Sequence, residues 1–164
     1  MTTFDSLESV QSQASRMRKA FDGGFTRPLP FRKQALEQLR DALRANEGRI
    51  LDALQADLGK SHFEGYATEL GLVYDEITTC IRHLGRWGSP KRVPTPLAHF
   101  TGSSKVYPQP FGVVLVLSPW NYPLQLALVP LVDAIAAGNC VALKPARESA
   151  HTSAVLVEVL DQAF

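Results

Sequence analysis

The sequence predicts an α/β protein: N-terminal helices followed by the first β-α-β-α of a doubly wound parallel sheet, incomplete within 164 residues. Three observations predict it. Up to Gly88, apolar residues recur at helical spacing. Beyond it, "GVVLVL" (Gly112 to Leu117) and "CVALK" (Cys140 to Lys144) are continuously apolar, as in parallel strands covered on both faces. Between these two runs lie about twenty residues of helix-forming sequence, long enough for a parallel crossover.

The elements follow in order. A first helix runs from about Asp5 to Phe21 and stops before Gly23-Gly24. Leu36, Leu39, Leu43, Ile50, Leu54 and Leu58 then mark one helical face. Asn46 interrupts that run and is placed to cap a new helix at Glu47, and Gly59 ends it. Tyr66, Leu70, Val73, Ile77, Ile81 and Leu84 form a further stripe, finishing near Trp87-Gly88. A proline-bearing loop, "GSPKRVPTPLAHFTGSS", leads to a short extended piece, "KVYPQP", and then to the first strand. Gly138 sits where the crossover helix would want a left-handed residue before the second strand. From Ser149 or Thr152 a last helix buries Val155, Leu156, Val159 and Leu160.

Composition excludes several classes. Formal net charge is +1, from 17 basic and 16 acidic residues, which argues against an electrostatic nucleic-acid footprint. The first twenty-odd residues mix acids and bases without an apolar core, so no signal peptide is expected. Two cysteines, Cys80 and Cys140, are too few for a disulfide framework and suit a reducing cytoplasm. Both lie in apolar contexts and read as small hydrophobes. The four histidines have no metal spacing, and no metal is expected. Glu64 and Glu69 read as a solvated helix face. Val113 to Ala137 holds a single charge, Asp133, but Pro119, Pro123 and Pro130 are expected to break it, so no membrane span is expected.

The chemistry-bearing stretch is "SPWNYP", Ser118 to Pro123, with Lys144 at the end of the next strand. One reading is structural: Asn121 caps the helix after Pro123, Trp120 is core and Lys144 is a solvated strand end. The combination says more. Ligands of open α/β sheets bind beyond the carboxyl ends of the strands. Ser118 to Asn121 follow the first strand and Lys144 closes the second, so an amide donor and a cation share one edge.

These motifs resemble the aldehyde dehydrogenase superfamily, closest to its class 3-like branch. The resemblance rests on "QPFGVVLVLSPWNYP", "LVDAIAAGNCVALKPA" and, upstream, "LQADLGK", and covers the N-terminal portion of that family. It implies a Rossmann-like cofactor domain that needs no GxGxxG. It implies that Asn121 donates to the aldehyde oxygen as that becomes an oxyanion, and that Lys144 binds ribose hydroxyls of NAD or NADP. By the same resemblance, groups around Ser118, Pro119 and Trp120 line the cofactor cleft. The family reaction is attack of a cysteine thiolate on an aldehyde, oxidation of the thiohemiacetal by the cofactor, and hydrolysis by glutamate-activated water. A full-length relative is expected to be a homodimer.

Two departures qualify the resemblance. Where the family often reads "KPSE", this chain reads "KPARE", which puts Arg147 at the ribose-binding position and Glu148 one later. A carboxylate there favours NAD, whereas an arginine suits a 2′-phosphate, so both cofactors stay open. The nucleophilic Cys and base Glu of the family fall beyond Phe164, so these 164 residues alone are expected to be inactive and poorly folded. The expected division is a helical region, 1–100, and the start of an NAD(P)-binding domain, 101–164, without the catalytic domain. The alternatives are a truncated, non-catalytic product or pseudoenzyme with at most a partner-binding role, and a generic nucleotide-binding module.

Overall fold

A computed structural model describes residues 7–164; the expected helix start at Asp5 lies outside them. Helix α1 spans Leu7–Asp22. Helix α2, Leu29–Ala45, starts behind Pro28 with Pro30 in its first turn, where proline's fixed φ fits and its missing N–H costs nothing. Helix α3 spans Glu47–Leu58 and stops at Gly59, whose φ of 69° is left-handed. Asn46 does separate α2 from α3, but its side chain does not cap the start of α3. Its amide instead donates to Ala42 O and to Gln162 Oε1, at 2.9 and 2.8 Å, tying the junction to the far end of the chain.

The next stripe is helical but not uniform. A short α4, His62–Gly65, runs into a π-helical turn, Tyr66–Leu70, and then α5, Gly71–Gly88. The N–H of Gly71 reaches back to Tyr66 O, one residue further than an α-helix allows. That extra residue rotates the face presented before Leu70. The expected loop after α5 contains a small exposed antiparallel hairpin, β1 (Lys91–Val93) with β2 (Ser104–Val106). Sequence reading missed β1 because its three residues are all exposed and show no apolar alternation.

Strands β3 (Val113–Leu117) and β4 (Cys140–Lys144) are parallel, with Val113 opposite Cys140 and Leu117 opposite Lys144. Helix α6, Gln125–Ala137, is the crossover, and α7, Ala150–Ala163, follows β4. Pro130 lies inside α6 without ending it, contrary to the expected break. One core joins the early helices to the late ones. Leu36, Leu39 and Leu43 of α2, Leu54 of α3 and Val73 and Ile77 of α5 are fully buried with Leu128 of α6 and Leu156 of α7. Each such side chain contributes about 1.5–3 kcal/mol of burial.

The strands are covered unequally, less fully than the expected burial of both faces. Val116, Val141 and Leu143 meet the helical core. On the opposite face Leu115 and Leu117 remain 62% and 65% exposed. The alternation of side chains along a strand produces this split; α1 also packs against both strands, but it leaves Leu115 and Leu117 open.

Helix α6 is held from outside at both ends. It has no acid in its first turn and no base in its last. Glu69, from the π-turn, accepts the N–H groups of Leu124 and Gln125 at 2.9 and 3.2 Å. At the other end Arg32 of α2 donates to Ala136 O at 3.2 Å, and Thr26 donates to Gly138 O at 2.9 Å. An anion at the N-terminus and a cation at the C-terminus are what the helix dipole favours. Gly138 has φ 92°, and a side chain there would strike the Arg32 guanidinium, so only glycine suits both the turn and this contact.

Candidate functional site

The site is the carboxyl edge of β3 and β4. Ser118 N–H donates to Lys144 O at 3.1 Å, so the turn after β3 is bonded directly to the end of β4. Sequence reading placed these two on one edge, and the register agrees. Ser118 itself is buried; its hydroxyl lies 3.2 and 3.3 Å from the carbonyls of Pro119 and Pro123, which close the turn. Its N–H and hydroxyl are thus used inside the fold. Pro119 and Asn121 are exposed, and Trp120 is 57% exposed rather than core. Lys144 is exposed at the end of β4. Arg147 and Glu148 stand at the surface in the loop before α7.

The turn is gripped from three sides. Ser149 donates its hydroxyl to Trp120 O at 3.1 Å. Lys60 donates to Asn121 O at 3.4 Å, and its ammonium sits 4.0 Å from the centre of the Tyr122 ring, a cation–π contact. Glu69 holds the start of α6, as described, and is itself paired with Lys60 at 2.5 Å. Glu69 is fully buried, with a relative exposure of 0%. It is no solvated helix face, as the sequence suggested; the π-turn aims it inward, where two backbone N–H groups and an ammonium compensate its charge. Because Glu69 caps α6, Asn121 does not, and the side-chain amide of Asn121 has no hydrogen-bond partner among the described residues.

A second carboxylate repeats the device at α7. Asp57 of α3 accepts the N–H groups of His151 and Thr152 at 3.1 and 2.7 Å, and pairs with the His151 ring at 2.8 Å. Burial alone would push its carboxyl up, but the Thr152 and His151 hydrogen bonds outweigh that and hold it below the usual carboxylate value. Lys60 and Asp57 both belong to the "LQADLGK" stretch, whose job sequence reading left unassigned.

Neither cysteine is placed for chemistry at this edge. Burial, with help from Glu76 and Asp133, pushes the Cys80 thiol up to about 12, so it stays protonated at neutral pH. Burial also pushes up Cys140, which begins β4 at the end opposite Lys144. Glu76, Cys80 and Asp133 bring three ligand-type atoms within 4.8 Å. Burial and the neighbouring Glu76 also raise the Asp133 carboxyl, so the cluster does nothing to favour a thiolate at Cys80. An apolar cavity of about 490 Å³, lined by Met17, Phe31, Ile135, Cys140, Leu160 and Phe164 among others, lies toward that same far end.

A sequence profile of the aldehyde dehydrogenase family matches residues 4–164. The chain belongs to that family. Among similar aldehyde dehydrogenases, human aldehyde dehydrogenase family 3 member B1 is 46% identical over 95% of this chain. Family 3 member F1 of Arabidopsis thaliana is 40% identical over 93% of it. The 4,4'-diaponeurosporen-aldehyde dehydrogenase of Staphylococcus aureus is 39% identical over 85%. The chain covers 33%, 32% and 30% of those relatives, so it spans about a third of their length. A solved Staphylococcus aureus aldehyde dehydrogenase in a substrate-bound state superposes with a TM-score of 0.92 at 35% identity, over 94% of this chain and 34% of that one. The fold is therefore that of the N-terminal portion of an aldehyde dehydrogenase. Among the described residues no helix is long and apolar enough to cross a membrane.

Proposed function

We propose that this edge is the oxyanion-donor and cofactor-facing part of an NAD(P)-dependent aldehyde dehydrogenase, which oxidises an aldehyde to a carboxylic acid through a cysteine thiohemiacetal. One observation carries the reading: the Asn121 amide is exposed and has no hydrogen-bond partner among the described residues, on a turn whose Trp120 and Asn121 carbonyls are held by Ser149 and Lys60. A donor that hangs from a held backbone and is not spent inside the fold is free to meet charge developing on the substrate oxygen, which suits oxyanion stabilisation. The structural alternative for Asn121, a cap on α6, is weakened because Glu69 fills that role.

The donor set suits a dinucleotide. Lys144 offers a cation at the strand end, Trp120 and Pro119 an apolar wall beside it, and Arg147 and Glu148 a choice of partners for the ribose. When bound, the cofactor supplies the two-electron oxidant. Lys144 would hold ribose hydroxyls, Arg147 a 2′-phosphate, and Asn121 the aldehyde oxygen. The N–H groups of Leu124 and Gln125 are occupied by Glu69, so the start of α6 is not a phosphate site. The thiolate and the base must come from groups other than Cys80 and Cys140. The reading includes a helical region, 1–100, leading into the NAD(P)-binding part, 101–164, a cytoplasmic setting and a homodimer.

The test is Asn121→Ala in an enzyme of full family length carrying this segment. Turnover is expected to fall about 10²–10³-fold, with the melting temperature unchanged because no hydrogen bond of the fold is lost. Retained turnover would refute the assignment.

A further inference from the structure

We propose that the buried Lys60–Glu69 pair is a positioning device for Asn121, one that sets turnover as well as stability. The proposal rests on the oxyanion reading above. Sequence and geometry converge on it. Left-handed Gly59 turns the chain so that Lys60 points inward, and its side chain is only 10% exposed. The π-turn, Tyr66–Leu70, places Glu69 beside it with no exposure. π-turns inside helices often mark functional positions.

The two residues act on consecutive parts of one turn. Glu69 fixes Leu124 and Gln125, just after the second proline of "PWNYP". Lys60 fixes the carbonyl of Asn121 itself and the ring of Tyr122. The salt bridge between them locks these two anchors together. The Asn121 side chain, which makes no hydrogen bond of its own among the described residues, projects from this held backbone. Stability alone does not explain the arrangement. Buried ion pairs are often replaceable by apolar residues without loss of stability, and their better-attested use is to specify a position. A donor displaced by about 1 Å forfeits much of its effect on a reaction.

The experiment measures kcat, KM for the aldehyde, NAD(P)H affinity and melting temperature in the full-length enzyme. The variants are Lys60→Met, Lys60→Met with Glu69→Gln, Asn121→Ala, and Lys60→Met with Asn121→Ala. Lys60→Met is expected to lower kcat about ten- to a hundredfold, with KM and cofactor affinity changed less than about threefold. Adding Glu69→Gln removes the stranded charge and keeps an acceptor for α6, so it is expected to restore the melting temperature but not kcat. In the Asn121→Ala background, Lys60→Met is expected to have no further effect on kcat, because both act through one donor. If restoring the melting temperature restores kcat, the pair is structural only and the proposal fails. It fails equally if Lys60→Met costs the same factor with and without Asn121. If Asn121→Ala alone leaves kcat intact, the oxyanion reading fails first. If Lys60→Met does not fold, the charge-free double variant decides between these outcomes by its kcat.

Discussion

The turn after β3 and the loop after β4 do the same topological job, each carrying a strand into a helix that packs on the same core. They are built differently. The first is bonded through Ser118, Ser149, Lys60 and Glu69, and its helix is capped by a fully buried carboxylate. The second is held by Asp57, whose partner His151 is 68% exposed, by the same Ser149 bond and by Ser153 on Ala146 O, and carries Arg147 and Glu148 at the surface. A group that must meet charge at one oxygen needs a fixed frame. On the proposed reading, the groups offered to a ribose or its phosphate stand instead on the more open surface of the second loop.

The largest expected break in this contrast is Glu69→Ala. It leaves Lys60 as a buried unpaired cation and α6 uncapped, with a loss of about 3–5 kcal/mol, measured by urea unfolding. The equivalent change at the second crossing, Asp57→Ala, is expected to cost about 1 kcal/mol. Equal losses would erase the distinction between the two crossings.

Much of the fold behind this contrast was legible. Leucine spacing marked α2 and α3, Gly59 and Gly138 marked the left-handed ends of α3 and α6, and the two apolar runs marked the parallel pair. The shared edge of Asn121 and Lys144 followed from strand direction alone. What was hidden is long-range compensation of charge. Glu69 sits next to Leu70 on an apolar stripe, and that misplaced acid was the available signal, but the extra residue of the π-turn has no sequence signature. Nothing local says that the acid on α3 caps a helix that begins at Ala150, because such bonds depend on tertiary packing.

A smaller effect sharpens the comparison at the second loop. Arg147→Glu is expected to shift the NADP/NAD ratio of kcat/KM toward NAD about tenfold, or ~1.4 kcal/mol. Steady-state kinetics with both cofactors would show it, and an unchanged ratio would remove Arg147 from cofactor choice. The matching change at the first turn, Asn121→Ala, should leave that ratio alone.

The smallest effect is a pH dependence. Hydrogen bonds hold the folded Asp57 carboxyl below its unfolded value. Its charge therefore adds stability that is fully present above the usual carboxylate range and is lost as pH falls through the lowered folded value. Asp57→Asn keeps the shape and removes the charge. The gap in melting temperature between it and the parent is expected to be widest near neutrality and to close in acid. A gap that widens in acid would contradict the direction of the shift.

Helix α6 has no terminal charges of its own and borrows both from residues that precede it in the chain by dozens of positions. This sets an order of assembly. During synthesis the N-terminal helices emerge first, and with them Arg32, Lys60 and Glu69, before any strand of the parallel pair exists. The crossover, apolar on nearly every side, then meets a surface already fitted with an acceptor for its first N–H groups and donors for its last carbonyls. The early helices thus serve as a template on which the strand-bearing half is laid down, and the turn bearing Asn121 is set when α6 docks.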